Sequence, residues 1–220
     1  MKFTLFKSLL CALFITSYAH NVAAAAPITI DFSGSLTDSF DSFNVGDAFS
    51  GSYTFDPGIA AGLGSTSSFS TFNNLLSANV QIGSFSASIG PGVGLPNIQQ
   101  DDVANADRYA FLALNPVGSS QIGGLDITAF GFRLDDTTGS AVTDALTLLT
   151  APTLSSFTSS GFLFFFDSPP LFGSNFHVLN GTLSSLEVRP AAVPVPATVW
   201  LMGSALVGLL LTGKRSKGNV

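Results

Sequence analysis

Apolar and polar residues alternate along several short segments of the chain. Segments 28–32 and 49–55 place a large apolar side chain at every second or fourth position, which is the pattern of a β-strand with one buried face. Asp56-Pro57-Gly58 follows the second segment with residues typical of a tight turn. The same pattern predicts further strands at 77–82, 85–89, 109–114, 125–134, 161–166, 176–179 and 182–188.

Clusters of Gly, Ser, Asn and Pro separate these segments. Many short strands divided by turns, with little charge and many Phe residues, favour two packed layers of antiparallel sheet over a barrel. We therefore predict an all-β body at 26–190, an antiparallel β-sandwich that is jelly-roll-like. Segment 142–149 is predicted to be a loop with one turn of helix, because Pro152 stops a longer element.

Phe162-Leu163-Phe164-Phe165-Phe166 is the densest run among the 21 Phe residues. A run that is apolar on both faces is more often a central strand that is covered than an exposed strip. The alternative is an exposed edge, which would expose a secreted protein to aggregation. We predict a core strand.

Residues 1–25 have the pattern of a secretory signal peptide. Lys2 and Lys7 precede a short apolar core, and Ala23-Ala24-Ala25 provides small residues for cleavage, with Ala23 and Ala25 at the recognition positions. The only cysteine, Cys11, lies inside this segment. Cleavage after Ala25 would leave a mature chain without disulfides, thiol nucleophiles or thiolate ligands.

The C-terminal residues predict a membrane span. Pro194-Val195-Pro196 forms a stiff linker at 191–196, and a helix is expected to begin after it, because Pro at a first helical position costs little. Residues 197–213 carry no charge and correspond to about 25 Å of helix, just short of a typical hydrocarbon core. Trp200 suits one membrane interface, and Lys214, Arg215 and Lys217 in the tail 214–220 suit the cytoplasmic side.

This tail, VPVPATVWLMGSALVGLLLTGKRSK, resembles the PEP-CTERM sorting signal of bacteria that make extracellular polysaccharide. The family's motif is commonly Pro-Glu-Pro, whereas Val195 stands between the prolines here. The resemblance implies export, a single-pass inner-membrane intermediate with the body outside, and processing by an exosortase-type membrane protease. It further implies release to the cell surface or extracellular matrix. The alternative is a permanent single-span anchor that no protease cuts.

The body is strongly acidic. Between the two terminal segments it contains all fourteen Asp and Glu residues of the chain against Arg108, Arg133 and Arg189, a net charge of −11. Such a charge repels nucleic acid and anionic lipid, whereas positively charged partners or calcium fit it. Asp101, Asp102, Asn105 and Asp107 are weak calcium candidates, and Asp135-Asp136 with its following threonines is another. Solvated loops are the ordinary explanation for both groups.

Residues for catalysis are few. His177 is the only histidine after the signal peptide, and alternation predicts that it faces solvent on a strand, together with Leu179 and opposite Val178. No nucleophile-elbow, zinc-helix or phosphate-loop motif occurs in its required context. The body has no Trp and only Tyr53 and Tyr109 for stacking on sugars.

These features predict a non-enzymatic, exported structural or adhesive protein without a resident cofactor, with extracellular polysaccharide as a possible partner. The alternative is a secreted carbohydrate-binding module or glycoside hydrolase on the same scaffold, in which two carboxylates would meet in the fold. A groove lined by carboxylates and tyrosines would favour the alternative.

Overall fold

A computed structural model describes residues 25–90, 97–101, 106–118, 121–167 and 177–189. The chain divides into two compact units, Met1–Pro190 and Ala191–Val220, and all the described residues belong to the first. These residues include no helix that is long and apolar enough to cross a membrane. The predicted span at 197–213 lies outside them.

The described part of the chain is all-β. Its strands are β1 (Ile28–Leu36), β2 (Ala48–Phe55), β3 (Phe69–Phe72), β4 (Leu75–Ile82), β5 (Phe85–Ile89), β6 (Asn97–Asp101), β7 (Asp107–Leu114), β8 (Val117–Gly118), β9 (Asp126–Asp136), β10 (Ser159–Asp167) and β11 (His177–Arg189). They form one antiparallel sheet in the order β3-β6-β7-β9-β10-β11-β1-β2-β4-β5-β8. The described helical residues are one 3₁₀ turn at Leu154–Ser156.

The connections show that this sheet curls. β3 and β4 stand eight places apart in the order, as do β7 and β8. Eight strand spacings in a flat sheet would separate them by about 38 Å. The chain crosses from Phe72 to Leu75, and from Leu114 to Val117, in three residue steps, which reach at most about 11 Å. The ends of the sheet must therefore turn towards each other.

Aromatic rings fill the space inside the curl. Phe111 on β7 contacts Phe32 on β1, with ring centroids 6.3 Å apart, and stacks on Tyr53 of β2 at 4.5 Å. Neither strand pairs with β7 in the sheet, so these contacts cross the interior. The largest fully buried side chains are nearly all aromatic. Fully burying such a side chain contributes on the order of 1.5–3 kcal/mol, so the core supplies stability without a cross-link.

The first and last strands of the body lie side by side in the middle of the sheet. Thr29 near the start of β1 pairs with Arg189 at the end of β11, and Arg189 also forms an ion pair with Asp31. Both ends of the body therefore leave the sheet at the same end.

The nine predicted segments lie on strands wherever the structure describes them; β5 has the predicted limits, and the limits of the others change. The two segments predicted at 176–179 and 182–188 belong to one long strand, β11, and residue 176 lies outside the description. β3, β6 and β8 were not predicted. The prediction for 142–149 is half right: the segment is irregular, but the helical turn lies later, at Leu154–Ser156.

The Phe-rich run forms β10, between β9 and β11. Phe162, Phe164 and Phe166 are fully buried in the core. Leu163 and Phe165 are half-buried on the opposite face. The prediction of a central core strand is confirmed.

Candidate functional site

A cavity of about 670 Å³ opens at one end of the sheet. It lies where β1 ends and β2 begins, at the opposite end of these strands from Thr29. The lining residues are Asp41, Ser42, Phe43, Asp47, Ala48, Ile82, Gly83, Ser84, Phe85, Gln121 and Ile122. Its volume falls within the range of pockets that take small organic ligands.

Three two-residue turns build its walls. Phe40 and Phe43 exchange backbone hydrogen bonds around Asp41-Ser42, and β4 and β5 are joined through Gly83-Ser84. Ile122 and Leu125 exchange backbone hydrogen bonds around Gly123-Gly124. The Gly83-Ser84 turn fixes the register of β4 and β5, whereas the other two turns close isolated bridges outside the strands.

Asp41 occupies an unusual backbone position. Its φ is +54°, the same as that of Gly83 in the neighbouring turn. A positive φ at only the first central residue is the type II′ pattern, where Gly is usual. A side chain in the left-handed region costs free energy that Gly avoids. The fold therefore holds a carboxylate where glycine would be the relaxed choice.

The lining separates polar from apolar groups. Phe43, Ile82, Phe85 and Ile122 are buried beneath the cavity, whereas its polar residues are exposed or half-buried. Asp47 Oδ2 accepts a hydrogen bond from the Asn44 N–H at 2.8 Å. The Asp41 carboxylate has no hydrogen bond from any described residue. The lining residues carry two carboxylates and no basic side chain.

The sequence did not indicate this cavity. Asp41, Gly83 and Gln121 are about forty residues apart along the chain, and long-range strand pairing brings them together. The available signal was local: each turn contains Gly, Asp or Ser between apolar residues. Turn chemistry predicts where the chain reverses, but it does not predict which turns become neighbours.

The calcium candidates do not form one group among the described residues. Asp101 forms an ion pair with Arg108, 3.6 Å apart. Asp107 points to the buried face of β7, and its Oδ2 accepts the Val142 N–H at 2.8 Å. Asp102 and Asn105 lie outside the described residues. Among the described residues, no group of three or more His, Cys, Asp or Glu side chains could hold a metal ion. A calcium site here stays a prediction.

Asp136 belongs to the second candidate pair, and protein groups already surround it. Its carboxylate accepts hydrogen bonds from the Ser140 and Thr138 N–H groups, each at 2.9 Å, and from the Thr138 hydroxyl. These donors lower the pKa of Asp136 well below its usual value. Its neighbour Asp135 accepts from Arg108 and Arg133. Both carboxylates therefore stabilise the end of β9.

A loop folds over the neighbouring strands through buried polar side chains. Gln100 on β6 is fully buried; its side chain donates to the Thr147 carbonyl and accepts from the Leu149 N–H. Asp107 Oδ1 is also buried, with no hydrogen-bond partner among the described residues. These contacts explain why segment 142–149 is a loop: side chains from the sheet bind its backbone.

The prediction that His177 faces solvent is wrong. Its ring stacks on Phe40, with centroids 4.0 Å apart. Its Nε2 is buried and has no hydrogen-bond partner within the described ranges. His177 does share a face with Leu179, as alternation predicted, but that face is the buried one. The error came from the choice of face, because the sequence places Phe176 and Val178 on the face opposite His177 and only Leu179 on the same face.

Tyr53 and Tyr109 lie in the core and not in a groove. Both are fully buried, and their hydroxyl oxygens are 3.0 Å apart. Burial raises the pKa of both hydroxyls. Neither ring is available for stacking on a sugar.

The terminal signal residues fall mostly outside the described part. Ala25 is the first described residue and is exposed, whereas Ala23 lies before the described part. The sorting residues Pro194, Val195, Pro196, Trp200, Lys214, Arg215 and Lys217 also lie beyond it. Their roles stay predictions.

The chain matches no protein-family model, no curated protein and no solved structure.

Proposed function

We propose that this protein is an exported structural or adhesive component of a bacterial cell surface or extracellular matrix. The observation that carries the proposal is the order of segments at the C-terminus: Pro194-Val195-Pro196, the uncharged residues 197–213, and then Lys214, Arg215 and Lys217. This order suits a helix held in a membrane with the body outside. A signal peptide at 1–25 suits the same route.

In this proposal the body is a β-sandwich of jelly-roll type, and 197–213 is its temporary transmembrane helix. An exosortase-type protease removes the tail near the proline pair. The protein has no enzymatic activity. Two observations support this: both body tyrosines are buried, and His177 is stacked against Phe40. The aromatic core also suits an exported chain that has no cysteine after its signal peptide.

Mass spectrometry of the intact protein, recovered from whole cells and from the extracellular matrix, tests the proposal. We expect the matrix form to lack both residues 1–25 and the basic tail. A matrix form that retains Lys214 to Lys217 would contradict processing. A chain found only in the cytoplasm would contradict export.

A second candidate function is carbohydrate binding, and the cavity favours it. A concave site with buried apolar residues and a few polar groups is the usual form of a small-ligand site. The two candidates are compatible, because a matrix protein can bind the polysaccharide around it.

A further inference from the structure

We propose that the cavity at Asp41 and Asp47 binds a positively charged, hydroxyl-bearing ligand, namely an amino-sugar unit with a free ammonium group. This inference rests on the second candidate function, carbohydrate binding, and not on the sorting signal.

The charge of the lining selects the sign of the ligand. Asp41 and Asp47 are its two charged residues, and the described lining holds no Lys, Arg or His. The described arginines lie elsewhere, each paired with aspartate. An anionic sugar would therefore meet two unneutralised carboxylates, whereas an ammonium group would form charge-assisted hydrogen bonds with them. The acidic body adds a field of the same sign.

The remaining lining groups suit a sugar better than a simple amine. Ser42, Ser84 and Gln121 carry exposed hydroxyl and carboxamide groups at the cavity, and these can both donate to and accept from sugar hydroxyls. The apolar residues beneath them offer contact for the C–H groups of a sugar ring. The cavity of about 670 Å³ is larger than a lone ammonium ion or a metal ion needs.

Asp41 and Asp47 have carboxylate oxygens available for a ligand. No described residue donates to Asp41, and the bond from Asn44 occupies only one oxygen of Asp47. A ligand ammonium can thus bind without displacing an internal contact.

The test uses three sugar oligomers of the same length and different charge: glucosamine, N-acetylglucosamine and glucuronate. The full chain in mild detergent is titrated calorimetrically with each at low salt and pH 6. We expect the glucosamine oligomer to bind, the acetylated oligomer to bind at least about tenfold more weakly, and glucuronate not to bind, since a hydrogen bond to a charged group is worth roughly tenfold or more in affinity.

Two isosteric variants test the carboxylates. Asp41→Asn and Asp47→Asn should each lower glucosamine affinity about tenfold or more. Asp56→Asn is the matched control: Asp56 also accepts one turn N–H at 2.8 Å, from Gly58, but it follows the far end of β2. The Asp56→Asn variant should bind glucosamine with the same affinity as the parent. An equal loss of affinity in all three variants would assign the effect to overall charge and would contradict binding in the cavity.

Asp41→Gly separates a binding role from a turn role. Gly relieves the positive φ, so the variant should unfold at the same or a higher temperature and yet lose glucosamine binding. A variant that keeps binding would show that Asp41 serves only the turn.

The proposal would be overturned if all three oligomers bound equally, or if the folded parent bound none of them. Direct binding of calcium to the parent that displaces glucosamine and is lost in Asp41→Asn would assign a metal site instead. None of these outcomes bears on export, which intact mass tests separately.

Discussion

The hydroxyl oxygens of Tyr53 and Tyr109 lie 3.0 Å apart in the interior, one from β2 and the other from β7. The strands that carry them are not neighbours in the sheet. This hydrogen bond therefore joins two distant parts of the sheet across the aromatic core, and each hydroxyl depends on the other for a partner.

Removing one hydroxyl should cost more than removing both. Tyr53→Phe leaves the Tyr109 hydroxyl buried without its partner, so we expect a loss of about 1–3 kcal/mol in the free energy of unfolding. Tyr53→Phe with Tyr109→Phe should recover most of that loss. Urea unfolding of the parent, both single variants and the double variant measures the coupling. Additive losses would contradict the pairing.

Asp136 predicts a specific dependence of stability on pH. Its folded pKa lies below the unfolded value, so its contribution is fully present above about pH 4, the usual Asp range, and is lost as pH falls further. Asp136→Asn should therefore be less stable than the parent at pH 6, and the difference should shrink at pH 2.5. Urea unfolding at both values measures it. A constant difference would contradict the prediction.

Two glycines on the same face of adjacent central strands should respond differently to a methyl group. A Cβ on Gly131 would lie 2.1 Å from the Phe111 carbonyl oxygen, whereas a Cβ on Gly161 would meet nothing within 4 Å. Gly131→Ala should lose about 1–3 kcal/mol through backbone displacement. Gly161→Ala, the matched control, should be neutral or gain up to about 1 kcal/mol. Thermal unfolding compares them; equal effects would show that the sheet adjusts freely at Gly131.

The proline pair tests the proposed sorting signal. Replacing Pro194 and Pro196 with alanine lets the helix extend upstream, so membrane attachment should survive while the protease loses its substrate. We expect an uncut precursor in the membrane fraction, detected by immunoblotting. Neutral replacement of Lys214, Arg215 and Lys217 is the companion variant, which should instead weaken membrane retention. Normal maturation of the proline variant would show that Pro194 and Pro196 are only a linker and not the motif that the protease recognises.

Period-two alternation predicted most strands because their inner faces are strongly apolar. β6 and β3 were not predicted, for two different reasons. Gln100 on β6 is fully buried through hydrogen bonds to the loop at Thr147 and Leu149, so its burial leaves no hydrophobic signal. β3 has only four residues, too few to establish a period.

The candidate cavity could not be predicted at all. It depends on which turns meet when the sheet curls, and this follows from pairings such as that of Gly34 with Phe49 and not from any local pattern. His177 shows the same limit on a smaller scale: alternation correctly grouped it with Leu179, but it could not tell which side of β11 the core would cover.

Because Thr29 pairs with Arg189, the first and last strands of the body begin and end at the same end of the sheet. Whatever continues the chain beyond Arg189 is attached at one end of the sheet, and the cavity opens at the other, nine β1 residues away, about 30 Å at the rise of a strand. In the proposed function, a tether at the C-terminus would therefore leave the cavity at the end of the sheet away from the attachment. The proposed sugar ligand would then approach the cavity from the end of the sheet that faces away from the proposed tether.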